Sequence, residues 1–180
     1  KSSPSGVDMT ITKDSDDKLF RRCAVNNAAY DYYTRCSPED LDLSLPPADL
    51  RLWIFNGLEA SSAVMMHHGA VIRSNLIEGF LGKFAPLVEY FLPDITLGTK
   101  GIDSYKHLYS TTCHELSHAS HFSKAGVPYW DRYVKYILES FLMSGGMTYG
   151  DGTGDSSGYC EIGEMWAYYM ESKFYKGRYG

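Results

Sequence analysis

The chain has 180 residues, 44% of them hydrophobic and 22% charged, enough for one globular domain with an ordinary core and no call for a second. A net charge of −5 with scattered Lys and Arg offers no basic field for a polyanion, so nucleic acid is not expected as a partner. There is no apolar run of about eighteen residues that would span a membrane, and the start at Lys1 shows neither an initiator Met nor a signal peptide, as in a mature or trimmed piece of something longer.

Residues 1–15 are polar, Ser-rich and aperiodic, and read as a tail or linker; residues 16–180 read as the domain. Leu19, Phe20, Cys23, Ala24, Asn27, Tyr30 and Tyr33 recur at helical spacing, which predicts an amphipathic helix over 17–36 with an aromatic inner face. Pro38, Pro46 and Pro47 bracket a loop. Residues 50–55 alternate Leu50, Leu52 and Ile54 against Arg51, Trp53 and Phe55, the period of a strand with one buried face, ended by Asn56-Gly57. Residues 63–66 suit a short strand and His67-His68-Gly69 a turn after it. Neighbouring residues of a strand point to opposite faces, so these two histidines are read as surface residues and not as ligands of one ion.

A helical stripe broken at Gly82 and Pro86 covers 75–92, and residues 93–98 form a compact strand signal closed by Gly98. Residues 104–125 lack proline, with Asp103 or Ser104 as N-cap and Gly126 as C-terminal stop. Another helix is expected over 129–143 with Tyr133, Tyr136, Ile137, Ser140 and Phe141 on one side. A long glycine-rich loop over 144–158 follows, shaped for mobility or for a ligand. At Asp151 the calcium-loop pattern fails, because its third, sixth and twelfth positions are Thr153, Ser156 and Ile162. The last helix is expected over 159–176, stopped by Gly177, with Asp155, Ser156 or Ser157 as cap. Cys23, Cys36, Cys113 and Cys160 are too few and too far apart for a disulfide scaffold and read as buried thiols; Cys113 and Cys160 would approach each other only if their helices packed around one metal. Fifteen Tyr suggest an exported domain, extracellular or periplasmic, or a carbohydrate or peptide cleft.

Mid-helix stands the stretch Thr112-Cys113-His114-Glu115-Leu116-Ser117-His118-Ala119. Positions i and i+4 share a helix face about 6 Å apart along the axis, so both imidazoles can reach one ion while Glu115 lies between them as a base. This is the HExxH pattern of zincins, with His114 and His118 as metal ligands and Glu115 as the catalytic carboxylate. Catalytic zinc takes three protein ligands and keeps one position for water or substrate, so a third ligand is needed. His121 is about 10.5 Å along the axis from His114, too far to converge easily, and Lys124 stands where a metzincin carries its third His, which excludes that class.

Downstream, Glu161-Ile162-Gly163-Glu164-Met165-Trp166-Ala167 sets two carboxylates on the final helix. Together with the first motif this resembles the gluzincin metallopeptidases, in which HExxH is followed by a Glu ligand on a later helix, with an Asp or a small residue about a turn further along. The resemblance implies Glu164, with Ala167 a turn beyond, as third ligand and leaves Glu161 as the alternative; neither is followed by an acid four positions on, since those places hold Tyr168 and Met165. It further implies a zinc cofactor, a peptide or protein substrate, a strand bordering the cleft, and a Tyr or His steadying the oxyanion, for which Tyr149, Tyr159, Tyr168, His67 and His68 are available. The expected fold is α+β, mostly helical and zincin-like, with a small mixed sheet packed on the active-site helix. Two rival functions share the motif: a catalytically silent zincin-like module that binds metal or a partner, and a zinc hydrolase of a non-peptide amide. Glu115 favours an enzyme, because a binding module needs no base there.

Overall fold

The computed structural model describes residues 10–68, 93–144 and 149–180. The stripe expected over 75–92, and parts of the N-terminal tail and of the glycine-rich loop, lie outside them. Among the described residues there are four helices and one three-stranded mixed sheet, a mostly helical α+β architecture. No helix among them is long and apolar enough to cross a membrane.

Helix α1 is Asp17–Arg35; Asp16 caps it by accepting the Leu19 amide at 2.9 Å. Its buried face is Ala24, Val25, Ala28 and Tyr32, whereas Leu19 and Tyr30 are exposed, Tyr30 at 76%. The expected aromatic face is thus rotated. Two alanines let α1 approach its neighbour closely, and Tyr32 is fully buried beside them, its ring stacked on Phe174 at 4.4 Å.

Strands β1 (Leu52–Phe55), β2 (Ser62–Ala63) and β3 (Ile95–Gly98) lie in the order β1-β3-β2, with β1 parallel and β2 antiparallel to β3. The alternation predicted for β1 is present: Leu52 and Ile54 turn inward, Trp53 and Phe55 outward. Central β3 buries Ile95 and Leu97 completely, each worth about 1.5–3 kcal/mol against exposure. Gly98 is required because a Cβ there would stand 2.3 Å from the Ala60 carbonyl oxygen. His68 is not an ordinary surface residue: its Nδ1 lies 3.0 Å from the fully buried Asp94 and its Nε2 3.0 Å from the Ala48 carbonyl.

Helix α2 (Tyr105–Ala125) is the centre of the domain. Ser104 caps it by accepting the His107 amide at 3.2 Å, and Gly126, at φ 79°, ends it. Helix α1, strands β2 and β3 and the two remaining helices all pack on it. That explains why its buried set runs almost around the helix, from Leu108 and Tyr109 through Leu116 to Phe122. Helix α3 is Val127–Ser144, two residues earlier than its apolar pattern implies, because Pro128 fits the first turn, where no amide hydrogen is needed.

Helix α4 is Ser157–Tyr179, longer than expected at both ends. Ser156 occupies the N-cap position without a side-chain cap bond, and Gly177 continues the helix instead of stopping it. The Arg35 guanidinium lies against Gly177, where a Cβ would stand 2.6 Å from it and the arginine would have to shift. All four cysteines are free, and the expected approach of Cys113 to Cys160 gives no disulfide. Burial pushes both thiols up to about 12, with Tyr109 and Asp31 beside Cys113 and Glu164 and Glu161 beside Cys160.

Candidate metal centre

Helix α2 presents His114 and His118 one turn apart on the face that meets α4. Ala167 on α4 is fully buried there, and Gly163 lies where a Cβ would stand 3.0 Å from the Tyr133 ring of α3 and 3.8 Å from His121 Nδ1 of α2. Glu164, next to Gly163, reaches both imidazoles. Its Oε2 lies 3.5 Å from His114 Nε2, its Oε1 lies 3.4 Å from His118 Nε2, and the two Nε2 atoms are 3.3 Å apart.

These separations test whether zinc fits. Ligand atoms at about 2.0–2.1 Å in tetrahedral geometry are about 3.3–3.4 Å from one another; the two Nε2 atoms match that spacing at 3.3 Å, and Glu164 approaches the two imidazoles with different oxygens, Oε2 at 3.5 Å from His114 and Oε1 at 3.4 Å from His118. Two imidazole nitrogens and one carboxylate oxygen form the N₂O donor set of a catalytic zinc site, and the cluster could hold a metal ion. Glu161 is exposed, lies beside Gly152 and is outside the cluster. His121 is outside it too, packed edge-on to Tyr129 at 4.8 Å.

Electrostatics sort the residues into roles. Burial lowers His118 to about 4 even though Glu164 pulls the other way, so this imidazole is neutral and its lone pair is free to bind. Burial also opposes charge on His114, but the hydrogen bonds its ring donates to Glu164 and Glu171 outweigh it and raise this group to about 9. Glu115 is pushed up to about 8 by burial, reinforced by the carboxylates of Glu164 and Glu171 and opposed by His114. Its Oε2 is buried with no hydrogen-bond partner among the described residues. A nearby dication would favour the ionised form of such a group. Glu164 titrates below the usual carboxylate range: burial alone would raise it, but His114, His118 and the Tyr133 hydroxyl together hold its charge.

Three further residues were not singled out for the site from the sequence. Glu171 Oε2 lies 3.0 Å from His114 Nδ1, and its Oε1 accepts a short hydrogen bond from Ser110. Tyr133 donates to Glu164 Oε1 at 2.9 Å. Glu171 stands seven positions after Glu164, two turns along one helix face, so a search carried one turn further finds it. Tyr133 was legible only as a core residue, because nothing local marks its partner on another helix.

A cavity of about 410 Å³ opens over His114 and Glu115, bordered by Ser61, Lys100, His107, Tyr149 and Tyr168. The Tyr168 ring stands edge-on to His114 at 4.7 Å. Of the expected oxyanion partners, only Tyr149 and Tyr168 border this cavity. Tyr159 is engaged by Tyr129 and Arg132, and His68 by Asp94. Comparison with protein-family models, curated proteins and solved structures finds no match.

Proposed function

We propose that the protein is a zinc-dependent metallopeptidase with a zincin-like fold of the gluzincin kind, its metal held by His114, His118 and Glu164. The observation that carries this reading is the convergence of His114, His118 and Glu164, whose ligand atoms lie within 4.8 Å of one another, beside a buried carboxylate on the same helix as the two histidines. When bound, zinc supplies a Lewis acid that polarises a scissile carbonyl and acidifies a water. Glu115 accepts a proton from the attacking water and returns one to the leaving amine, so the peptide bond breaks as one water is added across it. Glu171 keeps the His114 ring oriented by accepting from Nδ1, which leaves the Nε2 lone pair for the metal. Tyr149 and Tyr168 border the space over the site and are the residues that could offer a donor to the developing oxyanion.

The buried base supports an enzyme over a silent binding module. Holding a carboxylate away from water raises its proton affinity, a disposition suited to proton transfer and of no use to a passive metal site. The test is hydrolysis of a peptide library by the zinc-loaded protein beside Glu115→Gln. Cleavage that falls by 10²-fold or more in the variant, with zinc retained, supports the reading; wild-type protein that holds zinc and cleaves no peptide contradicts it.

A further inference from the structure

A second cavity, of about 290 Å³, lies along Glu164 on the side of the glycine-rich loop. Tyr136, Tyr149, Tyr168, Gly152 and Cys160 wall it, and Glu161 and Glu164 are its two carboxylates. It shares Tyr149 and Tyr168 with the cavity over His114 and Glu115, so the two spaces adjoin across these rings.

Tyr136 builds this second space. Its side chain projects from α3, is 6% exposed, and donates to the Tyr149 carbonyl at 2.9 Å. The loop lies directly on it. A Cβ on Gly150, where φ is +58°, would stand 2.8 Å from Ser140 Oγ and 3.0 Å from the Tyr136 hydroxyl. One on Gly154 would stand 2.9 Å from the Tyr136 ring. The glycines at 150 and 154 thus let the backbone rest against one tyrosine, which fixes Tyr149 as the partition between the two cavities.

We propose that this cavity is the specificity pocket for a large apolar side chain, aromatic or long aliphatic, of the substrate residue next to the scissile bond, and that Tyr136 is the residue that determines the preference. The proposal rests on the peptidase reading. The walls are aromatic, so each methylene placed there gains by burial. Glu161, which is not a metal ligand, gives the pocket a negative charge, so acidic side chains are rejected.

The test uses the zinc-loaded 180-residue chain with two probes. The first is a peptide library whose cleavage sites are read by mass spectrometry; the second is a matched pair of short peptidyl hydroxamates bearing a benzyl or a methyl side chain, titrated by calorimetry. Cleavages should gather beside Phe, Tyr, Leu or Met at one flanking position and avoid Asp and Glu, and the benzyl hydroxamate should bind at least about tenfold more tightly. In Tyr136→Ala both the Phe-over-Ala ratio of kcat/KM and the benzyl-over-methyl ratio should fall by about tenfold with zinc content unchanged. Tyr136→Phe, which keeps the ring and loses the bond to Tyr149, should keep part of each ratio. Cleavage without an apolar preference, or a preference unmoved in Tyr136→Ala, overturns the pocket and leaves the peptidase reading intact. Benzyl selectivity that depends on Tyr136 without any cleavage supports the pocket and overturns the peptidase reading. A chain that binds neither zinc nor hydroxamate overturns both.

Discussion

Glu171 Oε2 sits 3.0 Å from His114 Nδ1, on the side of the ring away from Glu164 and His118. A carboxylate at Nδ1 holds the proton there and leaves Nε2 as the acceptor that a metal requires. Removing this partner should therefore weaken the site without removing a ligand. Glu171→Ala should lower zinc affinity by about 10–100-fold in competition with a fluorescent chelator, and Ser110→Ala by less, because Ser110 touches only the other oxygen of Glu171. Unchanged affinity in Glu171→Ala would show that the ring is held by packing alone.

Zinc uptake should release protons. In the metal-free protein at pH 7, His114, raised to about 9, carries its charge, and Glu115, raised to about 8, keeps its proton, while His118, lowered to about 4, is already neutral. A ligand imidazole must lose its proton, and a carboxylate beside a dication ionises. Loading then frees between one and two protons. Zinc affinity should therefore rise with pH across the neutral range, through about 8, and level off above about 9. Calorimetry in buffers of different ionisation enthalpy reads the proton count directly; an enthalpy that does not depend on the buffer would contradict these charge states.

Tyr133→Phe tests the support under Glu164. The hydroxyl donates to Oε1 at 2.9 Å in a buried setting, and loss of such a bond to a charged acceptor costs about 1.5–3 kcal/mol. Zinc affinity should fall by roughly tenfold or more. The control is Glu161→Ala, which removes an exposed carboxylate outside the cluster and should leave affinity unchanged.

Gly98 and Gly57 offer a paired test of the sheet. A Cβ at Gly98 collides with the Ala60 carbonyl at 2.3 Å, whereas one at Gly57 meets nothing within 4 Å. Gly98→Ala should destabilise the fold by about 1–3 kcal/mol or more, and Gly57→Ala should change stability by less than about 0.5 kcal/mol, both read from the denaturant midpoint. Equal midpoints would mean that the Leu58–Ala60 backbone yields freely.

The elements with strong local signals were legible in the sequence. Ser104 and Gly126 bounded α2, the two-residue period marked β1, and the four-residue spacing of His114 and His118 put both rings on one face. What failed depended on neighbours. The inner face of α1 follows Ala24 and Ala28, whose value lies in the close approach they allow and not in their own hydrophobicity. Gly177 reads as a stop until Arg35 is seen against it. Glu171 shares the Glu164 face of its helix at a spacing of seven, but Tyr133 acquires its role from a partner 31 positions away in the chain, and no local spacing encodes that pairing.

The most direct measurement is the zinc content of the purified, reconstituted protein by elemental analysis, for the wild type and for His118→Ala, Glu164→Ala and Glu161→Ala. About one zinc per chain, lost with His118 and with Glu164 and kept with Glu161, is the result expected of a site formed by His114, His118 and Glu164. Wild-type protein that takes up no zinc, or that keeps it when Glu164 is removed, would contradict it.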